Sequence, residues 1–226
     1  MFIGHFGLGF GAKAVAPCTS LGTLFLAAQW IDLVWPTMLL LGLERVVIDT
    51  SLPGLTPLAF VHYPYTHSLL AVAGWALLFG GAYFALTRYA RGAIVVTALV
   101  LSHWLLDLLV HRPDLPLAPG DGLRVGLALW QSAPALAVAI EVALFAAGAA
   151  LFWRAFAQGA TRGRRIGAVA LIAALALIHA ANLLGPPPPS VQAIAWVGQA
   201  QWLIVLAGYA LDWRASPSLP AAARAA

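Results

Sequence analysis

Charge is what this chain has least of. Only 9% of its 226 residues are Asp, Glu, Lys or Arg, against about 25% in soluble globular domains. Cysteine is nearly absent as well. Cys18 stands alone, which excludes an intrachain disulfide and any zinc site built on several thiolates. No run of Lys or Arg forms a basic face, so the net charge of +4 does not indicate a nucleic-acid partner. The opening stretch MFIGHFGLGFGAKAVAP has no Lys or Arg ahead of its apolar run and reads as a retained segment rather than a cleaved signal. Pro17 before Cys18 argues against lipoprotein processing in the same way.

Apolar residues take the place of charge: 62% of the chain is hydrophobic and the mean hydropathy is +0.89. Seven apolar segments stand out, at about 2–16, 21–43, 67–87, 92–111, 133–153, 166–184 and 191–211. At ~1.5 Å per residue, most are long enough to cross a hydrocarbon core of about 30 Å. The expected class is therefore all-α, a polytopic transmembrane helix bundle. One integral membrane domain is expected over 1–226, with its lipid bilayer as first partner and a short cytoplasmic tail at 212–226. The first segment is short and rich in glycine, suited to tight packing on a neighbour. Pro36 withdraws a hydrogen bond from the carbonyl of Asp32, so a kink and a carboxylate are expected together. Ser132 is the expected N-cap of the fifth segment, with Pro134 in its first turn. The piece 122–131 is expected to lie at the interface, anchored by Trp130. The PPPP tract at 186–189 reads as a stiff connector.

Basic residues set the expected orientation. Lys13, Arg88, Arg91, Arg154, Arg162, Arg164, Arg165, Arg214 and Arg224 fall on one side, and only Arg45, Arg112 and Arg124 on the other. The positive-inside rule then puts the N-terminus out and the C-terminus in. The expected location is a bacterial inner (cytoplasmic) membrane, with loops 44–66 and 112–132 facing outward.

Several ionisable residues break this apolar background. In SHWLLDLLVHRPD (102–114), His103, Asp107 and His111 follow one another at four-residue spacing. At about 100° per residue, each is roughly 40° round from the last, so they share one helix face. His5, His62 and His67 fall towards the same end, Asp32 lies mid-segment, and Glu141 sits about 10 Å below Pro134 at helical rise. Charged groups at such depth cost several kcal/mol unless they are paired, hydrated or metal-bound. Imidazole and carboxylate together suit zinc foremost, with manganese or iron as alternatives. The candidate ligands are His5, Asp32, His62, His67, His103, Asp107 and His111. That set exceeds one zinc shell, so either a second metal or outer partners that orient the ligands must absorb the surplus. His179 fits no convergence and reads as structural.

HYPYTHSLL (62–70) followed by LSHWLLDLLVHRPDLPL (101–117) resembles a bacterial family of membrane-bound metal-dependent hydrolases, some of them LexA-regulated inner-membrane proteins. The resemblance extends to GHFGLGFGAK (4–13), AAQWIDLVWP (27–36) and GLALWQSAP with Glu141 downstream. It implies a hydrolase. Many relatives have HRGxTHS where this chain has HYPYTHS, so an arginine suited to an anionic substrate is missing. The residue order and HxxxD spacing are also distantly similar to the helical zinc phospholipase C and nuclease group.

On this reading the metal activates water against a phosphoester or other ester of an amphiphile. Glu141 or Asp32 is the candidate general base, and Arg45 or Arg112 the candidate binder of negative charge. Two other readings stay open. One is a non-catalytic subunit of a larger membrane complex, with a structural metal or with histidines on a pigment or haem. The other is a proton or metal-ion transporter, against which stands the halt of the polar residues in the outer half.

Overall fold

The computed structural model describes residues 1–120 and 122–212. The expected tail therefore lies, apart from Asp212, outside the described residues, as do Arg214 and Arg224. The chain is mainly helical. A short α1 (Ile3–Val15) leads into α2 (Leu21–Leu40), followed by a hairpin of β1 (Arg45–Ile48) and β2 (Leu58–His62). The single turn α3 (Pro64–His67) opens directly onto α4 (Leu69–Thr87), and α5 (Ala90–Val110) returns. A second, two-residue ladder of β3 (Leu115–Pro116) and β4 (Arg124–Val125) precedes the turn α6 (Leu129–Ser132). Then come α7 (Pro134–Phe156), α8 (Arg162–Leu184), and the broken pair α9 (Val191–Gln199) and α10 (Gln201–Asp212).

Six helical stretches are long and apolar enough to cross a membrane: α2, α4, α5, α7, α8 and the α9–α10 pair. With 13 residues, α1 rises only about 20 Å, as its short segment anticipated. The outward surface is what a bilayer requires. Leu77, Leu86, Ile94, Leu177, Leu184 and Leu203 all point away from the protein, a face that water would not tolerate.

Local details follow from the residues at each end. Ser20 and Ser68 cap α2 and α4 through their side chains, accepting from Thr23 N and Ala71 N. Ser132 does not cap α7. Its hydroxyl donates to the Ala128 carbonyl inside α6, and Ala133 takes the cap position before Pro134 at N1. Within 122–131, β4 pairs with β3 and Trp130 belongs to α6. α2 runs on through Pro36 as one helix, and 186–189 carries no regular structure.

Two apolar cores position the site. One gathers Phe6, Phe10, Phe25, Phe145 and Phe152 between α1, α2 and α7. Here α1 and α7 approach until only glycine fits. A Cβ on Gly148 would collide with the Gly7 carbonyl, and one on Gly7 with the backbone of Leu144. The other core joins α2, α4 and α5 to the hairpin through Trp35, Tyr63, Val72, Val100, Trp104 and Leu115.

Candidate metal centre

Four elements each bring one or two ionisable side chains to a common point at the hairpin end of the bundle. α1 carries His5 and α2 carries Asp32. α3 carries His67, while α5 carries His103 and, one turn on, Asp107. His5, His67, His103 and Asp107 are buried, and Asp32 keeps 22% of its side chain exposed. The HxxxD spacing works as helical geometry requires: His103 Nε2 stands 3.3 Å from Asp107 Oδ2 on the same face.

Three further distances join these residues. His67 Nε2 lies 3.5 Å from Asp32 Oδ1 and 3.9 Å from Asp107 Oδ2, and His103 Nε2 lies 3.6 Å from Asp32 Oδ1. These contacts are too long for charge-assisted hydrogen bonds, which run at about 2.7–2.9 Å. They match another geometry. Ligand atoms about 2.0–2.2 Å from a tetrahedral zinc stand about 3.3–3.6 Å from one another. Asp32, His67 and His103 therefore form a group of cation-binding size, a cage with Asp107 at its edge, 3.3 Å from His103 and 3.9 Å from His67.

The protons around the cage agree with this. Carbonyl and carboxylate oxygens only accept, so their partners fix which imidazole nitrogen carries hydrogen. His103 Nδ1 donates to the Ala28 carbonyl at 2.8 Å, so in the neutral imidazole its Nε2 is a lone pair. Thr66 Oγ1 donates its one proton to Glu44 Oε2 at 2.7 Å, and must therefore accept from His67 Nδ1, also at 2.7 Å. His67 Nε2 is then a lone pair too. Two such lone pairs facing two carboxylates repel, and either a proton on an imidazole or a cation between the four groups relieves that repulsion. Among the described residues His103 Nε2 has no hydrogen-bond partner, so the donor set fits a divalent metal.

His5 takes a different place. Its ring stacks on that of His103, with centroids 3.8 Å apart and planes 3° from parallel. His5, His103 and Asp107 bring ligand atoms within 4.8 Å of one another, a second group able to hold an ion, although the stacked rings do not aim their in-plane nitrogens at one point. His5 Nε2 instead donates to Asp107 Oδ1 at 3.2 Å, and the Met1 nitrogen donates to the same oxygen at 2.5 Å. Both hold Asp107 with its other oxygen turned towards the cage, the arrangement of an outer partner that orients a ligand.

The other sequence candidates fall elsewhere. His111 sits just beyond the last residue of α5, where its Nδ1 meets Asp114 Oδ1 at 3.1 Å and its ring packs on Trp130 and Phe60. Tyr63 donates to the same Asp114 oxygen. Burial and that carboxylate push the Tyr63 hydroxyl far above the usual phenol range, so it remains a donor. His62 ends β2 opposite Arg45 and is half-buried beside Tyr65. Arg45 is exposed, whereas Arg112 buries an Nη2 that has no partner among the described residues. Glu141 is buried, and its Oε1 accepts from Phe2 N and, at 3.4 Å, from Gly4 N. It caps α1.

Sequence reasoning missed Glu44 and Thr66, both buried behind His67. The Thr in THS was the available signal for one of them. No protein-family model, curated protein or solved structure matches the chain.

Proposed function

We propose that the chain is a metal-dependent hydrolase embedded in a bacterial inner membrane, with its N-terminus and its site on the outer side. Zinc is the expected ion, held by Asp32, His67, His103 and Asp107. The observation that carries this reading is the pair of Nε2 lone pairs aimed at two carboxylates across tetrahedral edges. One ion suffices, because His103 has only one free nitrogen. The basic residues gathered at the opposite end support the orientation.

A bound divalent cation supplies a Lewis acid and brings the pKa of its water to about 7. The chain's residues supply the rest. Asp32, the least buried member of the set, would offer its second carboxylate oxygen as acceptor for the proton of an attacking water. Arg112, which has an unpartnered buried nitrogen among the described residues, is the candidate partner for negative charge on the substrate. Glu141, engaged with the start of α1, orders that helix. A phosphoester or carboxyl ester of an amphiphile suits a site opening within a bilayer.

Elemental analysis of the purified chain tests the reading. About one equivalent of zinc, manganese or iron is expected, lost in both His103→Ala and Asp32→Ala. The loaded protein is then expected to cleave a phosphoester or ester lipid in vesicles, and those variants are not. A folded, metal-free wild type would overturn the proposal.

A further inference from the structure

The hydrogen bonds behind His67 run back out of the membrane-spanning helices to the turn before β1, and they are unusually complete. Glu44, 1% exposed, accepts from Tyr65 N at 2.8 Å and Thr66 N at 2.9 Å on Oε1, and from Thr66 Oγ1 at 2.7 Å on Oε2. Among the described residues no Lys, Arg or His pairs with this carboxylate. A buried anion without a cation needs every one of those donors. Thr66, itself fully buried, then has one acceptor site left facing His67 Nδ1.

We infer that Glu44 and Thr66 are positioning residues of the metal centre: the Glu44 carboxylate directs the single Thr66 hydroxyl proton, and so holds His67 in the tautomer whose Nε2 can ligate. The inference rests on the metal reading above. A purely structural role for Glu44, tying the α2–β1 turn to α3, needs only its shape and its acceptance from the two backbone N–H groups.

Glu44→Gln separates the two roles. The glutamine oxygen must stay on Tyr65 N and Thr66 N, which places its amide nitrogen against Thr66 Oγ1 as a donor. The Thr66 hydroxyl proton loses its acceptor and is expected to turn onto His67 Nδ1, the one other polar atom paired with Oγ1, which favours loss of the hydrogen there. That proton moves to Nε2, where it blocks ligation. The substitution is nearly isosteric, preserves the turn, and reverses only the direction of the chain. Thr66→Val removes the link, and Thr66→Ser preserves it.

The experiment is zinc affinity of the purified full chain, measured by competition with a chromophoric chelator for the wild type and these three variants. Histidine 15N spectra of the metal-free proteins are recorded alongside. Glu44→Gln and Thr66→Val are expected to bind zinc about 10- to 100-fold more weakly, the range for outer partners of metal ligands. Thr66→Ser is expected within about threefold of wild type, since its hydroxyl can do the same work. The His67 signal is expected to change from the Nδ1–H to the Nε2–H form in Glu44→Gln. If Glu44→Gln fails to fold, the Thr66→Val and Thr66→Ser pair decides alone. Wild-type affinity in a folded Glu44→Gln or Thr66→Val protein would overturn the inference while leaving the metal centre standing. A wild type that binds no zinc would remove both.

Discussion

The two ends of α1 are anchored in buried polar clusters that follow opposite rules. At its C-terminal end, Lys13 reaches Asp212 Oδ2 at 2.7 Å and the Thr19 carbonyl at 2.8 Å. The same carboxylate accepts from Leu21 N at 2.6 Å and faces Arg164 at 3.5 Å. Fixed cations meet a fixed anion, and none of these side chains is left with an unpartnered buried atom. At the other end, two carboxylates meet His67 and His103 at distances longer than charge-assisted hydrogen bonds, and among the described residues His5 Nδ1 and His103 Nε2 have no partner. A satisfied cluster acts as a fastener. An under-satisfied one is costly to keep in a low dielectric, and the metal proposal rests on that cost.

The comparison breaks most sharply through opposite signs of stability. Asp212→Ala leaves Lys13 and Arg164 without their anion and is expected to cost about 3–5 kcal/mol, as for other broken buried pairs. Metal content per folded molecule should not change. Asp32→Asn is expected to abolish metal binding yet leave the metal-free protein as stable as wild type or more so, because it relieves repulsion. Denaturation in detergent with parallel metal analysis checks both. Equal destabilisation by the two substitutions would erase the distinction.

Gly148→Ala comes next. Its new methyl group meets the Gly7 carbonyl and is expected to cost about 1–3 kcal/mol by overpacking, with α1 displaced from α7. A smaller effect is expected of Glu141→Gln, which keeps an acceptor for Phe2 N and Gly4 N. Metal content and hydrolysis should stay within about twofold, since one neutral hydrogen bond replaces a charged one. A collapse of hydrolysis with metal retained would instead give Glu141 a protonic role.

The smallest effect is a pH dependence. Burial raises the Tyr63 hydroxyl above its ordinary value, so its contribution is complete below about pH 10, the unfolded phenol value. It is lost as pH rises further, because the unfolded chain then releases a proton that the folded one retains. Unfolding midpoints measured on either side of that value should fall more steeply for wild type than for Tyr63→Phe.

Some of this was legible in the residues alone. Long apolar segments foretold the spanning helices, and four-residue spacing placed His103 beside Asp107. The same spacing suggested His111, but α5 ends at Val110, ahead of Pro113, and the stripe ends with it. Glu141 was marked by its depth. Depth alone does not tell a catalytic carboxylate from one that satisfies the N–H groups of a neighbouring helix. Glu44 gave no signal, since a carboxylate just after a spanning helix looks like any solvated loop residue. Asp212, 199 residues from Lys13, is a contact that no local pattern encodes.

The shortness of α1 has a consequence for assembly. A rod of about 20 Å cannot reach both surfaces of a hydrocarbon layer about 30 Å thick, so its end groups must be met by protein rather than by water. Its opening N–H groups are met by Glu141 on α7, and Lys13 in its last turn is met by Asp212 at the end of α10. Both partners leave the ribosome long after α1 does. The first helix to be made therefore has both of its end groups met by helices made after it.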